Sequence, residues 1–307
     1  MAKPAVFAAV ERRWLTLPAN IRGALWVLVA AFAASLMFLA AKILDGRLHL
    51  AQVTFFRAVV GLLIVGPMLL GARRQRLKTA RPLAHVCAGL CGVSALFCNF
   101  YAVTYLNFAD AVAFAFARSL FVVVLAAFFL HEIVRMRRWS ATLVGFVGVL
   151  VMLQPGGEVV PAALVALLGA LFAGASMTLI KSLSASEDAT TVLFYFVVAS
   201  AAVSVIPGLV TWQTPTADEL VLLLVVSLAG WANLFCFTRG FRIGDASALI
   251  PVDYSRLLFA ALFGFVLFAE VPGPRMWVGA AIIIAANLYI ARREAQIGDT
   301  ERAPHAV

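Results

Sequence analysis

The chain has 307 residues, of which 64% are hydrophobic and only 13% are charged. Soluble domains carry about 25% charged residues, so this composition excludes a soluble two-domain protein and indicates a polytopic membrane protein. The net charge of +9 comes from short segments between apolar runs rather than from one basic face, which argues against a nucleic-acid partner.

Ten apolar runs of about 20 residues follow one another, and this is the length that a helix needs to cross a bilayer. We name the predicted spans TM1 to TM10. The first run is too long for a signal peptide, so we expect it to remain as TM1, with cytoplasmic tails at 1–20 and 294–307. The predicted spans are 22–44, 50–71, 83–106, 108–130, 138–154, 161–182, 189–211, 219–240, 244–268 and 275–292.

The two halves of the chain repeat each other at a spacing of 135 to 140 residues. Five spans are an odd number, so the second half enters the membrane from the opposite side. The predicted fold is all-α, with ten transmembrane helices in two inverted five-helix repeats at 21–154 and 155–293, as in secondary transporters. The matching residues are Lys42 and Lys181, Pro67 and Pro207, Asp110 and Asp245, Glu132 and Glu270, and Trp139 and Trp277.

Lysines and arginines are divided unevenly between the two predicted membrane faces. Of the 24, eighteen lie in the tails and connections on one side. The opposite side holds Lys42, Arg47 and Arg275. The positive-inside rule therefore predicts that both termini are cytoplasmic.

Motifs for nucleotide or metal chemistry are absent from the sequence. It has neither GxxxxGK[ST] nor GxGxxG, and the stretch from His131 to Arg135 begins like a zinc-protease HExxH but lacks the second histidine. The four cysteines lie within predicted spans and are expected to pack as small apolar residues. We therefore expect no enzyme activity, no cofactor and no metal.

Four charged residues fall at membrane depth, namely Arg57 in TM2, Arg118 in TM4, and Asp253 and Arg256 in TM9. A charge at the bilayer centre costs about 2.5–3.5 kcal/mol on insertion scales, so each must face the bundle interior or water. Asp253 and Arg256 can simply pair along one helix, and Arg57 can snorkel. One acid does not balance three arginines, however, so the sequence predicts that Arg118 and Arg256 bind an anionic substrate group.

Polar and aromatic residues within the spans are further candidates for substrate binding. Two amides lie on the corresponding spans TM3 and TM8, where hydrogen bonds between helices are the alternative role. The candidates are Tyr101, Tyr254 and Trp231 as cavity walls, with Asn99 and Asn233 as the amides.

Two glutamates end TM4 and TM9 on opposite predicted faces. Glu132 and Glu270 are each predicted to close a salt bridge between the repeats, as a gate or latch. The alternative is an ordinary acid at the end of a span.

Three prolines are predicted to bend the spans. Pro67 and Pro207 match each other and would bend TM2 and TM7 for a rocking motion. Pro251 would kink TM9 where the backbone lines a cavity. The sequence has Phe116 at the corresponding place in TM4, so this kink is expected to break the repeat symmetry.

Short motifs occur along the chain: FR at 56–57 within TM2, YL to DA at 105–111, FLHE at 129–132, and GDA to FAE at 244–270. On these motifs the chain resembles the EamA family of the drug/metabolite transporter superfamily over about residues 22–292. The resemblance implies an inner-membrane carrier with a central cavity lined by both halves. Members of that family export amino acids and related metabolites, or import riboflavin, S-adenosylmethionine or similar compounds.

The chain departs from the usual pattern of that family at two arginines. Arg118 and Arg256 stand where apolar or hydroxylated residues are usual, and His131 stands where glycine often precedes the glutamate. The resemblance therefore gives these arginines no role. A guanidinium binds a carboxylate through two parallel hydrogen bonds, so the arginines themselves predict a substrate with an anionic group.

Together these features predict a secondary transporter for a small carboxylate-bearing metabolite, such as an amino acid, an amino-acid conjugate or an opine-type metallophore. Arg118, Arg256 and Arg57 would hold the anionic group, and Asp253 would hold an amine or orient Arg256. Export by alternating access is expected from the resemblance, and the alternative is uptake of riboflavin, S-adenosylmethionine or a similar compound. The expected partners are a small-molecule substrate and the lipid bilayer. A homodimer and the coupling ion stay open. The rival classes are a channel or scaffold, which would not need mid-membrane arginines in both repeats, and a membrane enzyme, for which no catalytic cluster is visible.

Overall fold

The computed structural model describes residues 17–69, 79–129, 136–153, 160–184, 186–187 and 189–302. Within these ranges every regular element is a helix, which confirms the predicted all-α class. Nine helical spans there are long and apolar enough to cross a membrane, and TM2 is a shorter apolar helix. The helices are TM1 Ala19–Ile43, TM2 Leu50–Val65, TM3 Pro82–Tyr105, TM4a Phe108–Ala115, TM4b Arg118–Phe129, TM5 Met136–Leu153, TM6 Pro161–Ser184, TM7 Ala189–Val210, TM8 Ala217–Ile243, TM9a Ala246–Asp253, TM9b Ser255–Phe268 and TM10 Pro274–Arg302.

Local signals set where several spans begin. Pro82 lies in the first turn of TM3 and Pro161 is the first residue of TM6, positions where the missing proline N–H is not needed. TM8 begins at a capping box in which Thr216 and Glu219 exchange hydrogen bonds. The apolar interiors then hold each helix to membrane length.

The spans pack in pairs, and each pair takes one span from each repeat. TM1 packs on TM8 as TM6 packs on TM3, while TM5 packs on TM10 and TM2 on TM7. Close approach in these pairs uses glycine: a Cβ on Gly240 would lie 2.9 Å from the carbonyl oxygen of Gly23, and one on Gly279 would lie 2.6 Å from that of Gly148. Two five-helix repeats therefore form one bundle around a pseudo-twofold axis.

The bundle has two ends, which contacts between the repeats identify. At the basic end TM1 begins, and Asn20 donates a hydrogen bond to Asp245 at 3.0 Å, between TM8 and TM9. At the far end TM1 finishes, and Lys42 contacts Glu270 just after TM9. Successive spans thus run in opposite directions between the basic end and the far end.

TM4 and TM9 are both interrupted near their middles, which corrects the predicted continuous helices 108–130 and 244–268. TM4a ends at Ala115 and TM4b begins at Arg118, while TM9a and TM9b meet at Tyr254. After a shift of 138 residues TM4a and TM9a have the same bounds, and those of TM4b and TM9b differ by one residue at each end. The expected break of symmetry at Pro251 is therefore wrong, because TM4 is interrupted without a proline.

The same shift corrects the repeat alignment near the starts of TM4 and TM9. Asn107 and Asp245 each precede the first helical residue, so Asn107, and not Asp110, is the counterpart of Asp245. Asp110 stands one helical turn further on. Arg118 and Arg256 become exact repeat counterparts, each in the first turn after its break.

The other two prolines are not equivalent in the fold. Pro67 lies in a 3-10 turn, Gly66–Leu69, that follows TM2. Pro207 lies inside TM7. A common bending role for the two stays a prediction.

Candidate functional site

A cavity of about 600 Å³ opens at the basic end of the bundle, between TM4b, TM8, TM9a and TM10. It runs from the breaks of TM4 and TM9 to Arg138 and Arg242, near the basic-end termini of TM5 and TM8. Its walls are largely apolar and aromatic, with few polar groups, as in most small-molecule sites. The wall residues include Phe116, Tyr254, Phe237, Phe241, Ile250 and Ile290.

An acid and two arginines meet at the floor of this cavity. Asp253 accepts a hydrogen bond from Arg256 through one carboxylate oxygen, and its other oxygen lies 3.8 Å from Nη2 of Arg118. The Arg118 side chain is 34% exposed and lines the cavity, whereas that of Arg256 is 10% exposed and lies behind it. The predicted pairing of Asp253 and Arg256 along one span is therefore present, and Arg118 is the one of the two arginines that faces the cavity.

Polar side chains from neighbouring spans bind the carbonyl groups near both helix breaks. The Ser35 hydroxyl of TM1 donates to the carbonyl of Arg256 at 3.1 Å. Asn287 of TM10 donates to the carbonyl of Phe116 at 3.4 Å, and Ser119 donates to the same oxygen at 2.7 Å. The Leu120 N–H, the usual helical partner of the Phe116 carbonyl, donates to Ala117 instead, so the Asn287 and Ser119 side chains stabilise the TM4 break. The Arg256 carbonyl lies in the first turn of TM9b, where the Ser35 hydrogen bond joins it to TM1.

Aromatic rings surround the charged floor. Phe116 and Tyr254, which are repeat counterparts, meet edge to face with ring centroids 4.9 Å apart, and the Arg256 guanidinium lies 5.7 Å from the Phe116 ring. Phe237 and Phe241 lie side by side on TM8 at 4.4 Å. The cavity can therefore hold a planar ring beside the charged groups.

The charge of the lining residues is positive. Arg118, Arg138 and Arg242 line the cavity, and Asp253 is the one carboxylate among its described lining residues. A low-dielectric cleft with this excess focuses a positive potential that attracts anionic groups from the basic end.

The far half of the bundle is closed. TM4a packs against TM9b there, in a core that includes Phe108, Val112 and Leu257. Lys42 contacts Oε1 of Glu270 at 2.6 Å and donates to the carbonyl of Leu106 at 2.9 Å. Oε2 of Glu270 accepts the Phe108 backbone N–H at 2.6 Å, so this carboxylate joins TM1 to the start of TM4.

The predicted salt bridge between the repeats is therefore present at Glu270, with Lys42 as its partner. Glu132 lies outside the described residues. In the inverted repeats, the contact between TM4a and TM9b would have a counterpart between TM9a and TM4b. Among the described residues, however, TM4b and TM9a barely touch, and the cavity lies between them.

Besides Arg256, five residues predicted to bind substrate do not line this cavity, because packing or hydrogen bonding directs them elsewhere. Asn99 donates to the Ala95 carbonyl of its own helix, and Asn233 donates to the Ala30 carbonyl of TM1. Tyr101 stacks on Tyr105, with ring centroids 4.4 Å apart, beside a separate far-end pocket. The remaining two are Trp231, which packs where a Cβ on Gly61 would lie, and Arg57, which packs beside Gly230 and Met37.

Several lining residues are not among those predicted from the sequence. Asn287 is one of them, although an amide inside an apolar span indicates a polar contact within the bundle. The aromatic pair Phe237 and Phe241, four residues apart on TM8 and followed by Arg242, was the other available signal.

Comparisons with known proteins agree with this architecture. The sequence profile of the EamA-like transporter family matches residues 21–154 and again residues 160–292. A crystal structure of another protein matches with a TM-score of 0.55 at 21% identity, over 87% of this chain and 98% of that one, which supports the fold alone.

Three relatives illustrate the family. The chain is 33% identical to the S-adenosylmethionine uptake transporter of Rickettsia prowazekii (strain Madrid E), over 88% of this chain and 92% of the relative. It is 29% identical to a riboflavin transporter of Vibrio cholerae, over 92% and 97%. It is 28% identical to the pseudopaline exporter CntI of Pseudomonas aeruginosa, over 88% and 96%. This chain therefore belongs to the EamA-like transporter family, within the drug/metabolite transporter superfamily, and is a multi-pass membrane transport protein.

Proposed function

We propose that the chain is a secondary transporter for a small metabolite that joins an amino-acid head to a planar ring, with S-adenosylmethionine as the first candidate. The observation that carries this proposal is the floor of the cavity, where Arg118 is presented beside Asp253 and aromatic rings lie within the same space. Transport follows alternating access, and the solute leaves chemically unchanged.

The head group is held by the two opposite charges of the floor. A solute carboxylate binds the Arg118 guanidinium through two hydrogen bonds, and a solute ammonium binds the Asp253 oxygen that faces Arg118. The separation of 3.8 Å between these groups is long for a salt bridge hydrogen bond, so a solute head replaces a weak contact with two stronger ones. Arg256 donates a hydrogen bond to Asp253 and fixes the orientation of its carboxylate.

The ring is held by the aromatic walls. Phe237, Phe241 and Tyr254 line the same cavity as the charged floor, and a planar heteroaromatic ring gains stacking energy from such neighbours. A volume of about 600 Å³ is in the range of cavities that enclose metabolite-sized ligands.

The direction of transport is argued from the end at which the cavity opens and from the relatives. We place the protein in the inner membrane, and by the positive-inside rule its basic end lies in the cytoplasm. The cavity then opens to the cytoplasm, so this is an inward-open state. The Lys42–Glu270 pair is its far-end gate. We propose uptake, which is the activity named for the Rickettsia and Vibrio relatives. The export predicted from the sequence finds support only in the name of the Pseudomonas relative.

A second candidate rests on the positive charge of the cavity. Three arginines against one acid suit a solute with several carboxylates, such as an opine-type metallophore, and a pseudopaline exporter is among the relatives. Such a solute is bound from the cytoplasm and exported.

The test is transport of labelled S-adenosylmethionine into proteoliposomes. We expect saturable uptake and counterflow, with loss of at least about 90% of the rate in Arg118→Gln because the carboxylate loses its paired donor. Arg239→Gln is the matched control, since Arg239 lies on TM8 near the cavity without lining it. Absence of counterflow by the wild-type protein, or full activity of Arg118→Gln, contradicts the proposal. Counterflow by a polycarboxylate alone favours the second candidate.

A further inference from the structure

A second cavity, of about 460 Å³, lies at the far end, behind TM4a. Its walls come from TM4a and the end of TM5 in the first repeat, and from the starts of TM6 and TM10 in the second. Rim residues such as Val160 and Arg275 are exposed, so this cavity opens at the far face while the first opens at the basic end.

One wall of the far cavity is a single face of the chain around TM4a. Leu106, Asp110 and Phe114 follow at intervals of four residues and all line it. Oδ2 of Asp110 accepts a 3.3 Å hydrogen bond from Asn107, whereas its Oδ1 is buried and has no hydrogen-bond partner among the described residues. A buried carboxylate oxygen without a donor is costly, so this atom is a ready acceptor for a cationic group. Arg275 lines the same cavity from TM10.

We propose that the far cavity is a second binding site for the amino-acid head of the solute, with its ammonium on Asp110 and its carboxylate on Arg275. The floor of the first cavity offers the same two charges in Asp253 and Arg118. The choice of solute rests on the proposed function. A metal ion is a poor alternative, because the described residues contain no group of three or more histidine, cysteine or acidic ligands.

The position of this site joins it to the far-end gate. The Leu106 carbonyl accepts the Lys42 ammonium, and the Phe108 N–H donates to Glu270, so the gate holds the turn that leads into Asp110. A solute arriving from the far face therefore binds beside the contacts that must separate before TM4a can leave TM9b. The far cavity is a reception site for solute outside the closed gate.

The experiment is protection of a thiol at the cavity rim. Val160→Cys is made in a chain whose four native cysteines are replaced, and labelling by a membrane-impermeant maleimide is followed in right-side-out and inside-out vesicles. The probes are S-adenosylmethionine and 5′-methylthioadenosine, which has the same ring without the amino-acid head. We expect S-adenosylmethionine to slow labelling about tenfold from the far face, and methylthioadenosine to leave it unchanged.

Variants separate the two cavities. Asp110→Asn removes protection, while Asp245→Asn, at the start of TM9, and Arg118→Gln, in the first cavity, keep it. Equal protection by both probes, or protection that survives Asp110→Asn, overturns the second site. Loss of protection in Arg118→Gln also overturns it, because the effect then comes from the first cavity. Protection without any transport of S-adenosylmethionine contradicts the proposed function but supports the second site.

Discussion

The two ends of the TM4–TM9 pair are built from the same repeated unit but are in opposite states. At the far end TM4a packs on TM9b, and Glu270 ties the start of TM4 to Lys42. At the basic end TM4b and TM9a are separated by a cavity of about 600 Å³. One conformation of the two inverted repeats thus has TM4 and TM9 in contact at the far end and apart at the basic end.

The repeat counterparts Arg118 and Arg256 show the same contrast at residue level. Arg256 is fixed behind the floor by Asp253, whereas Arg118 is 34% exposed and only loosely paired. TM4 has no acid three residues before its arginine, because the counterpart of Asp253 is Ala115. Loss of symmetry at one position thus leaves one arginine buried in an ion pair and the other facing the cavity.

Removing Asp253 is expected to have the largest effect on this contrast. Asp253→Ala leaves Arg256 buried without its partner, and loss of one partner of a buried ion pair costs about 3–5 kcal/mol. We expect a strong fall in the melting temperature in detergent and complete loss of transport. Asp253→Asn keeps a hydrogen-bond acceptor, so it should fold better but still not transport. Normal transport by Asp253→Asn would contradict the role of the charge.

Filling the open end should abolish the difference between the two ends without unfolding the protein. Val122→Trp places an indole in the cavity, and we expect solute binding to weaken about 100-fold because the solute volume is occupied. Isothermal titration or a scintillation proximity assay measures it. Val147→Trp is the control, since Val147 is 52% exposed on TM5 and lines neither cavity. Unchanged binding by Val122→Trp would place the solute elsewhere.

Loosening the closed end is the complementary change. Glu270→Ala removes the contacts to Lys42 and to the Phe108 N–H, and we expect about tenfold faster hydrogen exchange in TM4a. Glu270→Gln can still accept from Phe108, so its effect should be smaller. Equal exchange in wild type and Glu270→Ala would show that apolar packing alone closes this end.

The sequence predicts much of this fold and less of its site. Apolar runs and spaced repeats identify the spans, because the bilayer fixes helix length. The break in TM4 has no proline or glycine to mark it, and it depends on donors from other spans such as Asn287. Arg57 and Tyr101 are predicted to bind substrate but do not line the cavity. The rotation of each helix is set by packing, as at Gly230, and sequence spacing alone does not reveal it.

The side-chain contacts between the loops and neighbouring spans differ at the two ends in another way. At the basic end Glu187 lies 2.6 Å from both Thr79 Oγ1 and His85 Nε2 and is largely buried, whereas the far-end pair of Arg47 and Asp218 is exposed. Burial raises the pKa of Glu187, but hydrogen bonds from Thr79 and His85 outweigh it and hold this pKa below its ordinary value.

This pairing predicts an acid-sensitive basic end. A lowered carboxyl pKa contributes stability at neutral pH, and that contribution is lost as pH falls from the ordinary glutamate pKa through the folded value. We expect Glu187→Gln to lower the melting temperature at pH 7 by a few degrees and to flatten its fall towards pH 4, while Asp218→Asn changes it little. Identical pH profiles for wild type and Glu187→Gln would exclude the carboxylate as the source.

The smallest expected effect is the loss of stability when a side-chain contact near one of the two helix breaks is removed. Ser35 is the side-chain donor that the structure shows on the Arg256 carbonyl, whereas the Phe116 carbonyl accepts from both Asn287 and Ser119. Ser35→Ala should therefore cost about 1 kcal/mol, as the loss of one buried hydrogen bond does, and Asn287→Ala clearly less. Thermal unfolding of both variants in the same detergent measures the difference. A larger loss in Asn287→Ala would mean that this amide stabilises TM10 through contacts other than the break, and the two breaks would then differ in how they are held open.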